Sequence, residues 1–359
     1  MTAKKRLVVV GGGIGGAEVL RYASDALEVT LIEPKDQIEV QALYPEYLVG
    51  KSSLEDFTAP LRPFCERTGA RLVNDRAVGL EDSRVVCSRG EVEYDLLVIA
   101  TGAVQNYFGV KGAELAFSAN TLEDVTRARE FLVRRKPRII AIIGSGLTGV
   151  ETACELAASL ECTVFLVERM DRLLPMFPPQ ASKKVERAVL SRGVQPLTGK
   201  RVQEVEEDRV LFDDRSSLEC EMVIWTAGIK APPFVDSLSL PKHKCWLLAD
   251  PYLRSKGSED IFVIGDNAWV EVKGEVATKT GIEAERQAKH AAKNLNRMAR
   301  GKSPLPYSIL ASMDNQVAMI STGCGCAICV YGNSCLPVPA KPMYLLKRWI
   351  DKAIANRYK

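Results

Sequence analysis

Histidine is almost missing from this sequence: 359 residues contain two, His243 and His290. Neither sits in a recognisable setting, which excludes hydrolase triads and leaves a histidine-based metal cage without ligands. Excess charge is also scarce. Lysine and arginine number 48 against 45 acidic residues, a formal net charge of +3. No basic cluster is interleaved with aromatics, so neither nucleic acid nor an acidic partner is indicated. A cleavable leader is not expected, because the apolar stretch 7–10 begins almost at the first residue and the glycine-rich turn behind it would be destroyed by processing. The expected location is therefore cytoplasmic. An unbroken apolar run of membrane-spanning length is lacking too. Residues 139–160 reach the roughly 20 positions needed, but Gly144, Gly146 and Gly149 interrupt them, and Glu151 and Glu155 occupy their second half.

What is there has the composition of an ordinary globular chain, 47% hydrophobic and 26% charged. It is too long for one compact core, so two or three domains are expected. The ten cysteines, in a chain without a leader, read as reduced thiols in the core or at a redox site rather than as disulfides. Apolar runs of strand length alternate with helix-period segments from residue 6 onward, the pattern of parallel sheets built from βαβ units, so the fold class is α/β.

Two stretches repeat one grammar. Residues 7–34 and 139–168 each read as strand, glycine-rich turn, helix, strand and acidic residue. In the first, Gly11, Gly13 and Gly16 follow the strand and Glu33 closes the next one; in the second, Gly144, Gly146 and Gly149 are followed by Glu168. A diphosphate needs backbone amides at a helix N-terminus with no side chain in the way, and the carboxylate accepts hydrogen bonds from ribose hydroxyls. The expectation is two Rossmann-like dinucleotide-binding domains. At Glu168 a carboxylate would repel a 2′-phosphate, which favours NADH over NADPH, although Arg169 and Arg172 stand nearby. Residues 260–266 offer a further strand ending in Asp266, which makes sense only if it returns to the first sheet. The second domain then reads as an insertion: 1–112 with 247–315 form the first domain, 113–246 the second, and 316–359 a C-terminal segment. Pro337, Pro339 and Pro342 form a linker before a closing helix from Met343.

Three further pieces resemble a family. Residues 95–102, ending in Thr101 and Gly102, and residues 260–266, ending in Gly265 and Asp266, look like the two later signatures of flavin-dependent pyridine nucleotide oxidoreductases. Residues 222–228, ending in Gly228, match the strand and turn of the NADH domain. In that family the aspartate equivalent to Asp266 holds the ribityl or phosphate region of FAD. Residues 105–112, Gly149-Val150-Glu151 and residues 225–232 are similar to the type II NADH dehydrogenases, peripheral NADH:quinone oxidoreductases, and the likeness runs from Leu7 to about Leu295. It implies FAD and NADH as cofactors, a quinone as electron acceptor, and a Glu151 near the point where nicotinamide, flavin and quinone meet. Read by itself, Glu151 is equally an acid that favours a helix dipole.

The resemblance has a departure. That family carries an Ala-Gln pair and a second Gln beside the flavin, where this chain has Lys279-Thr280-Gly281-Ile282 with Glu283 and Gln287. Lys279-Thr280-Gly281 looks more like the sulfide:quinone oxidoreductases. Lys279 is read either as a charge that stabilises reduced flavin or quinone, or as a surface lysine. Disulfide reductases carry a cysteine pair soon after the first acidic residue; residues 33–51 have none and read instead Leu43-Tyr44-Pro45-Glu46-Tyr47, expected near the flavin ring.

Cys324, Cys326, Cys329 and Cys335 crowd one segment. Buried thiols, a redox role and a metal site all remain open for them, although the spacing fits no zinc pattern well. In a sulfide-oxidising alternative, Cys324 and Cys329 become catalytic. Their partner is hard to place, since Glu151 stands where sulfide oxidoreductases put a cysteine and Cys154 lies almost one turn further on. In the closing helix Met343, Leu346, Trp349, Ile350, Ala353 and Ile354 recur at helical spacing beside the basic Lys347, Arg348, Lys352 and Arg357. This suits a helix lying on a membrane surface, and also one packed on the protein or on a second subunit as a homodimer. The expected enzyme is an FAD-dependent NADH:quinone oxidoreductase, peripheral on the inner face of the cell membrane. Sulfide:quinone oxidoreduction, and a nucleotide-responsive interaction protein with structural flavin, are the alternatives.

Overall fold

The computed structural model describes residues 4–336 and 338–359. Its first sheet is parallel throughout, in the order Ile261–Val263, Leu96–Ile99, Lys5–Val10, Leu27–Ile32, Arg71–Val73. Helices Ile14–Tyr22 and Gly281–Ala299 pack together on one face. With both faces covered the central strands are continuous runs of Val, Leu and Ile, and Leu7, Val9 and residues 96–99 are fully buried. Each such side chain contributes about 1.5–3 kcal/mol by leaving water.

The second sheet repeats the plan: Phe117–Ser118, Met222–Trp225, Ile139–Ile143, Thr163–Val167, Gln195–Leu197, again all parallel. Helix Leu147–Ser159 follows its central strand, so the apolar stretch 139–160 is a strand, a turn and a helix. In each fold a three-stranded antiparallel meander leads into the strand that pairs beside the central one, Ala77–Glu81, Arg84–Cys87 and Gly90–Glu93 before Leu96–Ile99, and Val202–Val205, Arg209–Phe212 and Ser217–Glu219 before Met222–Trp225. Strand Ile261–Val263 comes after the whole second sheet in sequence and pairs with Leu96–Ile99 of the first. The crossing points are Val104–Gln105 and Ile229–Lys230, which pair antiparallel. Ala231, Phe234, Val235, Leu238, Trp246 and Leu247 lie in the core of the first sheet. The sequence boundary at Trp246 is therefore about fifteen residues late. The chain leaves the second fold near Gly228, because the next apolar side chains find their partners in the first.

Residues beyond 316 form an antiparallel hairpin, Val317–Ser321 with Ala327–Tyr331 and a short Ser334–Cys335, and a helix, Ala340–Asn356. The helix begins three residues earlier than the sequence suggests. Pro339 is its N-cap and Pro342 falls inside the first turn, where no intrahelical amide is lost; Pro337 lies outside the described residues. Its buried ridge is Met343, Tyr344, Lys347, Asp351 and Ala355. The grouping expected from hydrophobicity is thus corrected. Lys347 turns inward because the surface it meets is lined with carboxylates, while Leu345, Leu346 and Trp349 face out, 64%, 46% and 68% exposed. No helix among the described residues is long and apolar enough to cross a membrane.

Candidate functional site

The two glycine-rich turns superimpose in their chemistry. Gly11 and Gly144 take φ values of +105° and +100°, a region open to glycine at little cost. A methyl group on Gly16 would stand 1.8 Å from the Gly11 carbonyl oxygen, and one on Gly149 would stand 1.9 Å from that of Gly144. Gly13 and Gly146 differ from these. Nothing lies within 4 Å of a methyl group placed on either, and each is the N-cap of its helix with no side-chain cap. Uncapped amides facing open space at a helix N-terminus are what a diphosphate requires, so both crevices fit a dinucleotide.

Both acids close their crevices. Glu33 accepts the Gly12 amide at 2.6 Å and the Lys35 amide at 2.9 Å. Glu168 accepts the Ser145 amide at 3.0 Å, the Ser145 hydroxyl at 2.7 Å and the Met170 amide at 3.0 Å. Held by main-chain donors, each carboxylate stays oriented and keeps acceptor capacity for a ribose hydroxyl. Arg172 does not compete for a 2′-phosphate. Its guanidinium donates to the carbonyls of Leu174, Pro175 and Phe177 and to Ser182 Oγ, bracing the loop 172–178.

A second group of predicted residues gathers at the C-terminal end of the first sheet. Asn267, fully buried, accepts the Gly102 amide at 3.2 Å and lies 3.5 Å from Thr101 Oγ1, while donating to the Ile99 carbonyl. It fastens the two later signatures together, a role the sequence reading missed even though Asn267 follows Asp266 directly. The Gly265 amide donates to Gln287 Oε1 at 2.8 Å. Asp266 itself accepts no side-chain hydrogen bond among the described residues, and burial pushes its carboxyl up despite the nearby Lys279 charge. An unpaired carboxylate there fits a ligand hydroxyl. Lys279 is not a surface lysine. Its Nζ donates to the carbonyls of Asp266 at 2.8 Å and Ala268 at 2.7 Å and sits 3.8 Å from the centre of the Trp246 ring. Burial lowers its pKa to about 8. Gly228, at φ +71°, leaves no room for a side chain beside the Phe108 ring, and its carbonyl takes the Asn106 amide and the Gln105 side chain.

Glu151 lies in the first half of helix Leu147–Ser159, buried, and is no ordinary first-turn acid. Its Oε1 accepts the Ser321 amide at 2.8 Å and stands 3.5 Å from Lys347 Nζ. Burial raises its pKa, with Lys347 opposing. Burial also works against the Lys347 ammonium, but Glu151 and Asp351, the latter at 3.0 Å, more than offset it. Glu155 accepts Lys51 Nζ at 2.5 Å and Ser321 Oγ at 3.0 Å. Glu46 accepts Ser52 Oγ and Tyr344 OH and pairs with Arg348 at 3.0 Å. Three buried carboxylates from helices Tyr44–Leu48 and Leu147–Ser159 are thus met by cations of the C-terminal helix and of Lys51. Tyr44, expected near the flavin ring, gives its hydroxyl to Glu39 at 2.5 Å and its ring to the packing of Phe57.

The cysteines fall elsewhere. Cys324 is exposed in the hairpin turn, and neighbouring Gly323 abuts the Cys154 carbonyl and Ala158. That is eight to twelve residues along the helix from Gly146, or about 12–18 Å at 1.5 Å per residue. Cys329 packs beside Ala327, Met343 and Tyr344. Among the described residues, no group of three or more His, Cys, Asp or Glu is placed to hold a metal ion.

Two matched crevices at the carboxyl ends of two parallel sheets define a protein built to seat two dinucleotides. The chain belongs to the pyridine nucleotide-disulphide oxidoreductase family, whose model matches residues 5–293. A type II NADH:quinone oxidoreductase of Staphylococcus epidermidis is 23% identical, over 97% of this chain and 94% of the relative. In structure, NDH2 of Plasmodium falciparum is similar with a TM-score of 0.86 at 16% identity, covering 99% of this chain and 97% of that one. The sulfide:quinone oxidoreductase of Aquifex aeolicus is similar with a TM-score of 0.84 at 18% identity, covering 98% and 92%.

Proposed function

We propose that this chain is an FAD-dependent oxidoreductase that takes a hydride from NADH and delivers two electrons to a quinone at a membrane surface. The observation that carries the reading is the pair of open, uncapped helix N-termini at Gly13 and Gly146, in a chain similar to type II NADH:quinone oxidoreductases. The domain division that goes with it is a discontinuous FAD domain, an inserted NADH domain and a C-terminal segment. Pairing of Ile261–Val263 with Leu96–Ile99 supports that division.

Gly11, Gly13, Gly16, Glu33, Thr101, Gly102, Gly265 and Asp266 would hold FAD, and Gly144, Gly146, Gly149 and Glu168 the NADH. FAD, when bound, supplies the hydride acceptor and the electrons for the quinone. The protein positions and polarises. Backbone amides at Gly13 and Gly146 fix the two diphosphates, and holding donor and acceptor in near-attack geometry is worth up to roughly 7–11 kcal/mol. Lys279 places a positive charge beside the Asp266 turn, where it would stabilise negative charge on a reduced flavin or quinone bound nearby. Glu151, its pKa raised by burial and opposed by Lys347, would serve as the proton relay to a quinone being reduced.

Leu345, Leu346 and Trp349 are an exposed apolar group on the C-terminal helix. It fits the headgroup layer of the inner face of the cell membrane, from which a lipid-soluble quinone would arrive. A second copy of the chain is the competing occupant, and sedimentation of the protein with and without vesicles separates the two.

Anaerobic mixing of the purified yellow protein with NADH, NADPH and sulfide in parallel tests the whole reading. NADH is expected to bleach the flavin band fastest, and a short-chain quinone to restore it. Bleaching by sulfide alone would overturn the proposal in favour of sulfide oxidation; a yellow protein that turns over no quinone would leave a nucleotide-responsive flavin protein.

A further inference from the structure

The turn that closes the C-terminal hairpin has no part in the scheme above, yet it carries the chain's most exposed thiol chemistry. Its sequence is Gly323-Cys324-Gly325-Cys326. Cys324 is the one cysteine among the ten that is exposed, Cys326 is half-buried, and both are free thiols. The rest are covered to differing degrees. Burial pushes the thiols of Cys65, Cys154 and Cys220 up to about 11 or 12, away from the nucleophilic thiolate.

The backbone of this turn winds tightly. Gly323, Cys324 and Gly325 take φ values of +72°, +51° and +66°, and for a cysteine that left-handed setting is uncommon. The Cys326 amide returns to the Gly323 carbonyl at 3.1 Å. In an extended strand residues two apart stand about 6.6–6.8 Å from each other, at the edge of the roughly 4.4–6.8 Å between the Cα atoms of a disulfide. Left-handed winding shortens that separation. Cys326 Sγ already folds back to within 3.8 Å of the Cys324 carbonyl oxygen. The base of the turn is held by Arg192 Nε on the Thr322 carbonyl at 2.9 Å and by the Thr322 amide on the Cys326 carbonyl at 2.8 Å.

We infer that Cys324 and Cys326 form a dithiol/disulfide site that exchanges with low-molecular-weight disulfides. Cys324, the exposed member, attacks the small disulfide; a mixed disulfide forms on Cys324 and one small thiolate leaves. Cys326 then attacks the Cys324 sulfur, the ring closes and the second small thiolate leaves. Two protein thiols lose two protons and two electrons, and one small disulfide becomes two thiols. The site needs no flavin. Its behaviour can therefore be read whatever the electron donor and acceptor of the enzyme prove to be.

The test uses the full-length reduced protein and oxidised glutathione. After incubation, remaining thiols are alkylated in denaturant and the cysteine-bearing peptides are weighed and fragmented. The expected product is a peptide two hydrogens lighter, unalkylated at Cys324 and Cys326 and alkylated at Cys329 and Cys335. Cys326→Ser should trap glutathione on Cys324 as a stable adduct, and Cys324→Ser should acquire none in the turn. A wild-type protein that keeps the mixed disulfide unclosed, leaves Cys324 free, or joins Cys324 to a cysteine other than Cys326 overturns the inference.

Discussion

The two glycine-rich folds agree at the three fingerprint glycines and then part in what surrounds one acid. Two residues after the third glycine each helix carries an acid, Glu18 after Gly16 and Glu151 after Gly149, and each acid is buried beneath the C-terminal segment. Glu18 meets the Tyr358 hydroxyl at 2.9 Å and Arg21 at 2.6 Å. Glu151 meets a main-chain amide and Lys347, with Glu155 and Asp351 close by. In the first fold the acid is pinned by a neutral phenol and a local arginine, with Lys289 at 4.0 Å, an arrangement suited to fixing the chain end. In the second it sits in a buried cluster of charges, where burial raises its pKa and Lys347 opposes. Matching glycines thus provide matching seats for diphosphates, and the difference in chemistry lies in what the last forty residues set against each helix.

The largest expected effects break the equivalence of the crevices. Gly11→Val adds a branched side chain at φ +105°, its first carbon 2.4 Å from the Ala100 carbonyl oxygen, and should yield a protein without flavin. Gly144→Val places that carbon 2.7 Å from the Ala227 backbone. It should leave a yellow protein whose reduction by NADH is slowed about a hundredfold or more, since backbone strain and overpacking each cost about 1–3 kcal/mol. Flavin content by absorbance and stopped-flow reduction check both. If the second variant also loses its flavin, the two crevices do not have separate ligands.

Next in size is the contrast between the paired acids. Glu151→Gln should lower NADH:quinone turnover by about 10²–10⁴, the range for losing a positioned acid or base, whereas Glu18→Gln should leave turnover unchanged. The pH dependence follows from the direction of the Glu151 shift. Burial raises its pKa from 4.5, so it keeps its proton at a pH where a free glutamate has lost it, and the limb of the turnover profile due to this group lies above 4.5. Lys347 opposes that shift, so Lys347→Met should move the limb further upward. A limb that stays put in this variant would disconnect the two groups.

Much of this architecture was legible because it is local. Strand, glycine turn, helix and acid span about thirty residues, and steric need dictates the glycines, so both crevices and the α/β class can be read from spacing alone. Partners brought together by tertiary packing could not be read. Tyr358 reaches Glu18 across 340 positions and Ser321 reaches Glu151 across 170. The one clue to the buried face of the closing helix was Lys347 with Asp351 at i, i+4, a pair easily taken for solvent-facing charge. Hydrophobicity favoured the opposite face, and Trp349 instead remains exposed. The Phe108 ring that leaves no room for a side chain at Gly228 was equally hidden, a contact that arises only where the chain crosses between sheets.

Lys279 sharpens the comparison from the flavin side, with an expected effect of intermediate size. With its pKa lowered to about 8 by burial, it loses charge as the pH rises through that value, so any rate that depends on its charge falls on the alkaline side. Lys279→Met should lower turnover by about tenfold, the order of one charge-assisted hydrogen bond, and should remove the alkaline limb. A variant that keeps that limb would show it to belong to another group.

The smallest effect isolates the structural half of the comparison. Tyr358→Phe keeps the ring edge-on to Phe64, now 5.6 Å between centroids, and removes only the hydroxyl that donates to Glu18. Arg21 still pairs with that carboxylate, so the loss should be about 1 kcal/mol, a fall in Tm of about 2 °C by calorimetry. NADH reduction should be unaffected, since this acid is set apart from the proton-exchanging group around Glu151. A change in reduction rate without a change in Tm would mean that the first helix, like the second, transmits the state of the C-terminal segment to its crevice, and the division of labour between the folds would fail.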